Sequence, residues 1–187
     1  MCRICPILCF DFILYDLIRF SAHYIIKYKI YLKKGWISIK VIFFDVDGVL
    51  NYCGTALIDD ECLAQLKYIV AQTGANTVIS SSWKEAFTKY DIYSDKDREM
   101  VTRLLNDPEL KCLGWTPDID EINRENEVEE WLLDYDESEI ESFVIIDDLD
   151  YDFEEKFPGH FVKTAGYWGK GLTEHHAQNA IRILGLL

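Results

Sequence analysis

The sequence is short of basic residues. Its 187 residues include 19 Lys and Arg against 33 Asp and Glu, a formal net charge of −14. The shortage is uneven, because 7 of the 19 bases but only 2 of the 33 acids lie in residues 1–40, so residues 41–187 hold 12 bases against 31 acids. Such a body repels polyanions on average, which excludes a broad nucleic-acid-binding surface but leaves room for a local patch that binds one phosphate.

A disulfide framework and a histidine metal site are also missing. Of the 6 cysteines, Cys2, Cys5 and Cys9 crowd the N-terminus and the rest are scattered, so we predict reduced thiols and a cytoplasmic protein. Three soft ligands without a second cluster make a poor zinc or iron–sulfur site, and we interpret them as incidental. The 4 histidines show no ligand spacing with the acids.

The first forty residues lack an uncharged apolar run long enough to cross a membrane. Asp11, Asp16 and Arg19 interrupt the apolar stretch well short of the roughly 20 residues that a span needs. A secretory cleavage site is missing as well. We predict an N-terminal extension over residues 1–38, either an interfacial helix, a poorly ordered segment or an upstream extension of the reading frame, followed by one domain over residues 39–187.

From residue 37 onward, short apolar runs alternate with segments of helical periodicity. The alternation predicts an α/β fold, a three-layer, Rossmann-like parallel sheet with helices on both faces. Residues 91–122 read as one helix followed by a looped stretch broken by Pro108, Gly114 and Pro117. The predicted strands cover residues 37–44, 75–80, 142–148 and 160–164, and the predicted helices cover residues 59–72, 82–90, 97–105, 125–135 and 173–187.

Polar side chains stand where three of these strands end. In parallel sheets the carboxyl ends of the strands meet at one edge, where ligands bind. Four carboxylates at one place need a cation to stay ionised, and oxygen ligands favour a hard ion, of which Mg²⁺ fits best. The residues concerned are Asp45 and Asp47, Ser80 and Ser81, and Asp147 and Asp148.

The stretches "DVDGVLN", "VISSSW" and "VIIDD", in that order, resemble the haloacid dehalogenase (HAD) superfamily of phosphohydrolases. The pattern "SSSWK", "EVEEWL", "SFVIIDD", "FVKT" and "GLT" is similar to compact HAD domains that occur alone in phages and bacteria or in multi-domain RNA-repair proteins. The likeness covers about residues 39–187 and implies a small cap, Mg²⁺ and hydrolysis through an aspartyl phosphate.

The resemblance also implies roles for the acids. Asp45 would be the nucleophile and Asp47 the general acid that protonates the leaving oxygen. Asp148 would bind Mg²⁺ with Asp147 assisting, so that the metal set comprises Asp45, Asp47, Asp147 and Asp148. Gly48 would let the chain turn sharply beneath the phosphate.

The phosphate itself needs hydroxyl and cationic partners. We expect Ser80 to donate a hydrogen bond to the phosphoryl group, with Ser81 as its rival, and we assign Ser82 to helix capping because Glu85 is spaced for a capping box. Charge on the phosphoryl oxygens calls for a cation besides Mg²⁺. We favour Lys84, with Lys163, Lys111 and Arg124 as alternatives, and a solvated Lys84 remains the competing interpretation.

The sequence indicates the substrate less directly than it indicates the chemistry. With no room for a large cap we expect an open site, suited to a nucleotide, a polynucleotide end as in nucleic acid repair, or a phosphoprotein. The alternative is a non-catalytic interaction module, because residues 118–155 hold eighteen acids and one base, Arg124. We expect a phosphorylated substrate and no membrane partner; the sequence makes no prediction of the oligomeric state.

Overall fold

The computed structural model describes residues 38–52, 57–87, 94–119, 123–135, 139–166 and 168–185. The predictions made for residues 1–37, including their three cysteines, lie outside these residues. The described elements, in chain order, are β1 (Ile39–Phe44), α1 (Asp60–Thr73), β2 (Asn76–Ile79), a 3-10 helix (Ser82–Phe87), α2 (Asp95–Asn106), β3 (Cys112–Trp115), α3 (Arg124–Leu133), β4 (Ile140–Asp147), α4 (Phe153–Lys156), β5 (Phe161–Lys163) and α5 (Glu174–Ile183).

The strands form one parallel sheet with the order β3-β2-β1-β4-β5. The central strand β1 pairs in parallel with β2 on one side and β4 on the other. Each crossover between parallel strands carries helices over a face of the sheet. The predicted three-layer, Rossmann-like α/β fold is therefore confirmed.

The continuous apolar run of β1 is explained by the two covered faces. Alternate side chains of a strand point to opposite faces. Ile42 and Phe44 pack in one core against residues of α1, α2 and α5, such as Leu66, Leu104 and Ile181. Val41 and Phe43 pack in a second core, against residues of α3 and α4 that include Val128, Trp131 and Phe153.

Helix α1 begins and ends where local chemistry dictates. The Asp59 carboxylate accepts hydrogen bonds of 3.0 Å from the backbone N–H groups of Glu61 and Cys62, which satisfies two of the donors left free at a helix start. At the other end Gly74 adopts a left-handed φ of 72°, a conformation that glycine adopts at little cost. The predicted boundaries are confirmed to within a residue.

Two parts of the sequence interpretation are wrong in detail. Residues 112–115, predicted as loop, form β3, which pairs with β2 through Thr77–Cys112 and Ile79–Trp115. The segment predicted as a helix over residues 82–90 is a 3-10 helix over Ser82–Phe87. Both elements are short and take their conformation from the neighbours they pack on rather than from a long periodic pattern.

The described residues contain no cap domain, since α1 is the only described helix between β1 and β2. None of the described helices combines the length and apolar character needed to cross a membrane. In the described part of the chain, the carboxyl-end edge of the sheet is bordered by loops, the 3-10 helix and the start of α3.

Candidate active site

Three aspartates meet at the carboxyl ends of β1 and β4. The two strands pair with Phe44 opposite Ile146, and the N–H of Asp45 donates to the carbonyl of Ile146 at 3.0 Å. The residues that follow each strand are consequently adjacent. One carboxylate oxygen from each of Asp45, Asp147 and Asp148 lies within 4.8 Å of the others.

The chemistry of this donor set fits a divalent cation. All three ligand groups are carboxylates. Their oxygen donors suit a hard ion such as Mg²⁺ better than they suit softer metals. Burial raises the pKa of Asp45 to about 6, against the opposing effect of Arg124. Burial, followed by the neighbouring Asp45 charge, raises the pKa of Asp147 to about 8. A bound cation would favour the ionised form of both groups.

Arg124, the first residue of α3, supplies a positive charge to the cluster. Its Nη1 lies 2.9 Å from Asp147 Oδ2 and 3.1 Å from Asp45 Oδ1, and it donates to the carbonyl oxygen of Ser80 at 3.3 Å. The contact with Asp45 is an ion pair without hydrogen-bond alignment, since Asp45 Oδ1 has no hydrogen-bond partner. The two carboxylates raise the pKa of Arg124 further above its usual range, against the effect of burial.

Tyr151 covers the guanidinium of Arg124. The Cζ of Arg124 lies 4.7 Å from the centre of the Tyr151 ring, within the range of a cation–π interaction. Tyr151 has a φ of 44°, a left-handed backbone conformation that is rare for a bulky residue. This strain, at a residue that orients the central cation, is typical of functional sites.

Lys84, the cation favoured from the sequence, is directed elsewhere. It is buried, and its amino group bonds to the Glu127 carboxylate, to Thr116 Oγ1 at 3.3 Å and to the carbonyl of Pro117 at 3.2 Å. Burial lowers the pKa of Lys84 in spite of the Glu127 charge. None of these contacts is with the three aspartates, and the predicted role of Lys84 stays a prediction.

The two other lysines proposed from the sequence, Lys111 and Lys163, lie at opposite ends of the parallel strands. Lys111 lies just before β3, at the amino end of that strand, and its Nζ donates to the carbonyl of Gly74 at 3.4 Å. Lys163 ends β5 at the same edge of the sheet as the aspartates and is exposed. Its charge lowers the pKa of Asp148, although burial raises that pKa overall.

The two candidate serines differ in their partners. Ser80 and Ser81 follow β2 and are both buried. The Ser81 hydroxyl bonds to Asp45, and its Oγ accepts from the N–H of Trp83 at 3.3 Å. Ser80 Oγ has no partner, and among the described residues only Asp45 Oδ1 shares that condition with it. Buried polar atoms are rarely left without a hydrogen bond. Ser80 Oγ therefore points to a ligand at this place, beside an Asp45 Oδ1 whose one close partner is the Arg124 charge.

The family comparison agrees with this geometry. The model of the HAD domain in Swiss Army Knife RNA repair proteins matches residues 41–177. The chain belongs to this HAD family. No curated protein and no solved structure matches it significantly. Family membership indicates a phosphatase-type hydrolase, and the matched residues 41–177 include all of the site residues described above.

Asp47 of the HAD domain stands apart from the cluster of three carboxylates. Its side chain is exposed, and its two oxygens accept hydrogen bonds of 2.7 Å from Asn51 Nδ2 and from Trp83 Nε1. Its carboxylate is therefore not placed among the metal-ligating groups, and its predicted catalytic role stays a prediction. Trp83 is buried, and the sequence reasoning missed its indole donor.

Gly48 allows the turn that follows Asp47 to lie against Asp148. Its φ is 70°, and a Cβ at this position would lie 2.6 Å from Asp148 Cγ. Its N–H donates to Asn51 Oδ1 at 3.0 Å and its carbonyl accepts from Thr164 Oγ1 at 2.8 Å. Asn51 is the last residue of the "DVDGVLN" stretch. The motif therefore contained the residue that supports this turn, although the sequence reasoning missed its role.

Proposed function

We propose that this HAD domain is a Mg²⁺-dependent phosphomonoesterase that works through an aspartyl phosphate on Asp45. The observation that carries the proposal is the pair of buried oxygens without hydrogen-bond partners, Asp45 Oδ1 and Ser80 Oγ, beside the carboxylate cluster. Asp45 Oδ1 can face a cation or an electrophilic phosphorus. The Ser80 hydroxyl can donate a hydrogen bond to a phosphoryl oxygen. A phosphate monoester with its metal satisfies both.

In the first step the Asp45 carboxylate attacks phosphorus, and the bond between phosphorus and the leaving oxygen breaks. Asp47 donates the proton that the leaving oxygen requires. The two hydrogen bonds from Asn51 and Trp83 hold its carboxyl group in one orientation. Proton transfer from a positioned carboxyl group is worth ~10²–10⁴-fold in rate.

The phosphoryl charge is balanced by fixed groups. Arg124 and the Ser80 hydroxyl bind phosphoryl oxygens, and we assign to Arg124 the role that the sequence favoured for Lys84. Asp45 and Asp148 would hold the Mg²⁺, and the bound ion would neutralise negative charge on the phosphoryl group. Both oxygens of Asp147 are engaged, by Arg124 at 2.9 Å and by the N–H of Leu149 at 2.9 Å, so Asp147 acts in support of Arg124 and Asp148.

In the second step Asp47, now ionised, takes a proton from a water molecule that attacks the phosphorus of the aspartyl phosphate. The bond between phosphorus and the Asp45 oxygen breaks, inorganic phosphate leaves, and the Asp45 carboxylate is restored. The position of Asp47 outside the buried cluster, exposed to solvent, supports a residue that exchanges protons with water.

The substrate is a phosphomonoester on a nucleotide or a polynucleotide end. The absence of a cap domain in the described residues favours an accessible site, and the family occurs in RNA repair proteins. We place the protein in the cytoplasm, where Cys62 and Cys112, both free thiols, would stay reduced. A phosphoprotein substrate is the rival that a substrate panel separates.

The full chain, assayed with an aryl phosphate, should release phosphate with Mg²⁺ and lose this activity in EDTA. Asp45→Asn should abolish release, while Asp150→Asn, a matched change of an exposed nearby acid, should keep it within about twofold. Activity that survives in Asp45→Asn would refute the aspartyl-phosphate route. Absence of turnover with every phosphoester, together with tight binding of a basic protein, would instead favour the acidic interaction module.

A further inference from the structure

A loop that follows β5 lies against the candidate active site. Thr164 donates to the carbonyl of Gly48 at 2.8 Å, and Leu172 donates through its N–H to the carbonyl of Val49 at 2.8 Å. Both acceptors belong to the turn that follows Asp47. Between these anchors a Cβ on Gly166 would lie 3.3 Å from Asp148 Oδ2. The loop is therefore part of the wall of the site.

The tip of this loop presents an exposed indole. Gly169 donates through its N–H to the carbonyl of Gly166 at 2.8 Å, which closes a tight turn, and Trp168 within that turn is 87% exposed. Trp168 lies two residues from Gly166, so their Cα atoms are at most roughly 7 Å apart. The backbone of Trp168 is thus kept within reach of Asp148 by a loop that is held at both ends.

Two lysines flank Trp168 along the chain. Lys163, at the end of β5, and Lys170 are both exposed, and the charge of Lys163 reaches Asp148. The carbonyl of Lys170 accepts from Cys62 Sγ at 3.2 Å, which ties this part of the loop to α1. In a chain with a large excess of acids, an exposed tryptophan with an exposed lysine on each side of it in the sequence is a local exception to the charge pattern.

We infer that Lys163, Trp168 and Lys170 form a substrate subsite that takes the nucleobase and the neighbouring backbone of a phosphorylated nucleotide end. Exposed aromatic rings bind bases by stacking, and flanking cations attract the phosphates. This inference rests on the proposed function, because it places the base beside a phosphate that sits at Asp45. It adds to that function the requirement that the substrate carries an aromatic base.

Kinetics test the subsite by comparing two substrates of the full chain, adenosine monophosphate and the base-free ribose 5-phosphate. Trp168→Ala should lower the ratio of their kcat/KM values about tenfold, in line with the worth of one stacked base. Trp168→Phe should restore most of the ratio. Leu133→Ala removes another exposed apolar side chain, on α3 before β4, and should leave the ratio unchanged. An unchanged ratio in Trp168→Ala would overturn the inference without affecting the proposed phosphatase.

Binding can be measured without turnover. In an Asp45→Asn background, adenosine monophosphate should quench a tryptophan signal that is lost on adding Trp168→Phe, and ribose 5-phosphate should not quench it. Quenching in the wild type without any hydrolysis would support the subsite but refute the phosphatase.

A second experiment uses a short oligonucleotide with a terminal phosphate. If it quenches at lower concentration than adenosine monophosphate does, the preferred ligand is a polynucleotide end and not a free nucleotide. Preference for a phosphoserine peptide over every nucleotide would overturn the subsite.

Discussion

Arg124 is the residue on which the electrostatics of the site depend. One of its nitrogens, Nη1, lies within 3.3 Å of oxygens from Asp45, Asp147 and Ser80, and its guanidinium rests on the Tyr151 ring. A planar guanidinium with fixed donors suits this combination better than a flexible ammonium group. Its contacts reach both the proposed nucleophile and the strand end that carries Ser80.

Replacement of Arg124 should therefore damage catalysis more than folding. We expect Arg124→Gln to lower kcat roughly 100-fold or more, because one fixed charge partner of a developing oxyanion is worth about that factor. Arg124→Lys should recover only part of the loss. Steady-state kinetics with an aryl phosphate checks this, with Arg98→Gln, a change of a surface cation paired with Asp95, as the control. Equal rates in Arg124→Gln and wild type would contradict the assignment.

Asp147 should give the metal-free protein a distinct pH dependence. Its folded pKa is raised to about 8, above the unfolded value near 4, so the folded state binds protons more tightly. The stabilisation that this tighter proton binding gives the folded state is fully present below about pH 4. It is lost as the pH rises towards 8. In EDTA the free energy of unfolding should fall between pH 5 and pH 8.

Asp147→Asn should flatten this fall, by up to about 4 kcal/mol over these three pH units, as measured by urea unfolding at the two pH values. Added Mg²⁺ should flatten it as well in the wild type, since the ion binds the ionised carboxylates of the folded state. A pH slope in EDTA that is the same with and without Asp147 would contradict the raised pKa.

At the scale of elements, a buried ion pair holds three segments together. Lys84 belongs to the 3-10 helix, Thr116 follows β3, and Glu127 lies on α3 one turn after Arg124. Thr116 also donates to the Glu127 carboxylate at 3.1 Å. We interpret this cluster as the attachment that fixes the start of α3, and with it Arg124, against the carboxyl end of β2.

Lys84→Met should consequently destabilise the fold by about 3 kcal/mol, because it leaves the buried Glu127 carboxylate without its counter-charge. The double change Lys84→Met with Glu127→Leu should recover much of that loss. Chemical unfolding checks both, and Lys67→Met, which removes a more exposed pair with Asp107 and Glu109, should cost less than about 1 kcal/mol. A loss of activity in the double variant at full stability would show that Lys84 acts in catalysis after all.

The elements differ in how far the sequence could predict them. Strands β1 and β4 are covered on both faces, so each leaves a continuous apolar run. Strand β3 has four residues with a central glycine, lies at the sheet edge and is only half-buried throughout. Its conformation comes from pairing with β2, which the local pattern does not encode.

The site divides in a similar way. Acids and serines at the ends of parallel strands could be predicted to converge because the topology brings those ends to one edge. The choice between Lys84 and Arg124 depends on the direction in which each side chain leaves its helix. The 3-10 helix turns Lys84 towards Glu127, whereas the start of α3 places Arg124 beside Asp147, and neither orientation follows from spacing along the chain.

At the scale of the whole molecule, charge limits how nucleic acid can bind. The chain has a net charge of −14, and among the described residues of β5 and the loop that follows it the exposed lysines are Lys163 and Lys170. A single-stranded oligonucleotide with a terminal phosphate should thus make few phosphate contacts, and its binding should weaken only gently with salt.

For one or two neutralised phosphates the logarithm of the binding constant should fall with the logarithm of the salt concentration with a slope of about −0.7 to −1.4. Titrations in the Asp45→Asn variant between low and physiological salt measure this slope. A slope steeper than about −3 would require a basic surface that the described part of the chain does not present, and would contradict the picture of recognition at one end of the strand.

The central claim is that three strand ends deliver Asp45, Ser80 and Asp148 to one pocket for a divalent ion and a phosphoryl group. A crystal structure with Mg²⁺ and beryllium fluoride tests it most directly, since beryllium fluoride stands in for a phosphoryl group on a carboxylate. We predict beryllium bonded to the Asp45 carboxylate, a fluorine accepting from Ser80 Oγ, and one Mg²⁺ held between Asp45 and Asp148. A structure in which the ion binds away from Asp148, or in which Asp45 stays unmodified while another residue carries the fluoride group, would contradict the account.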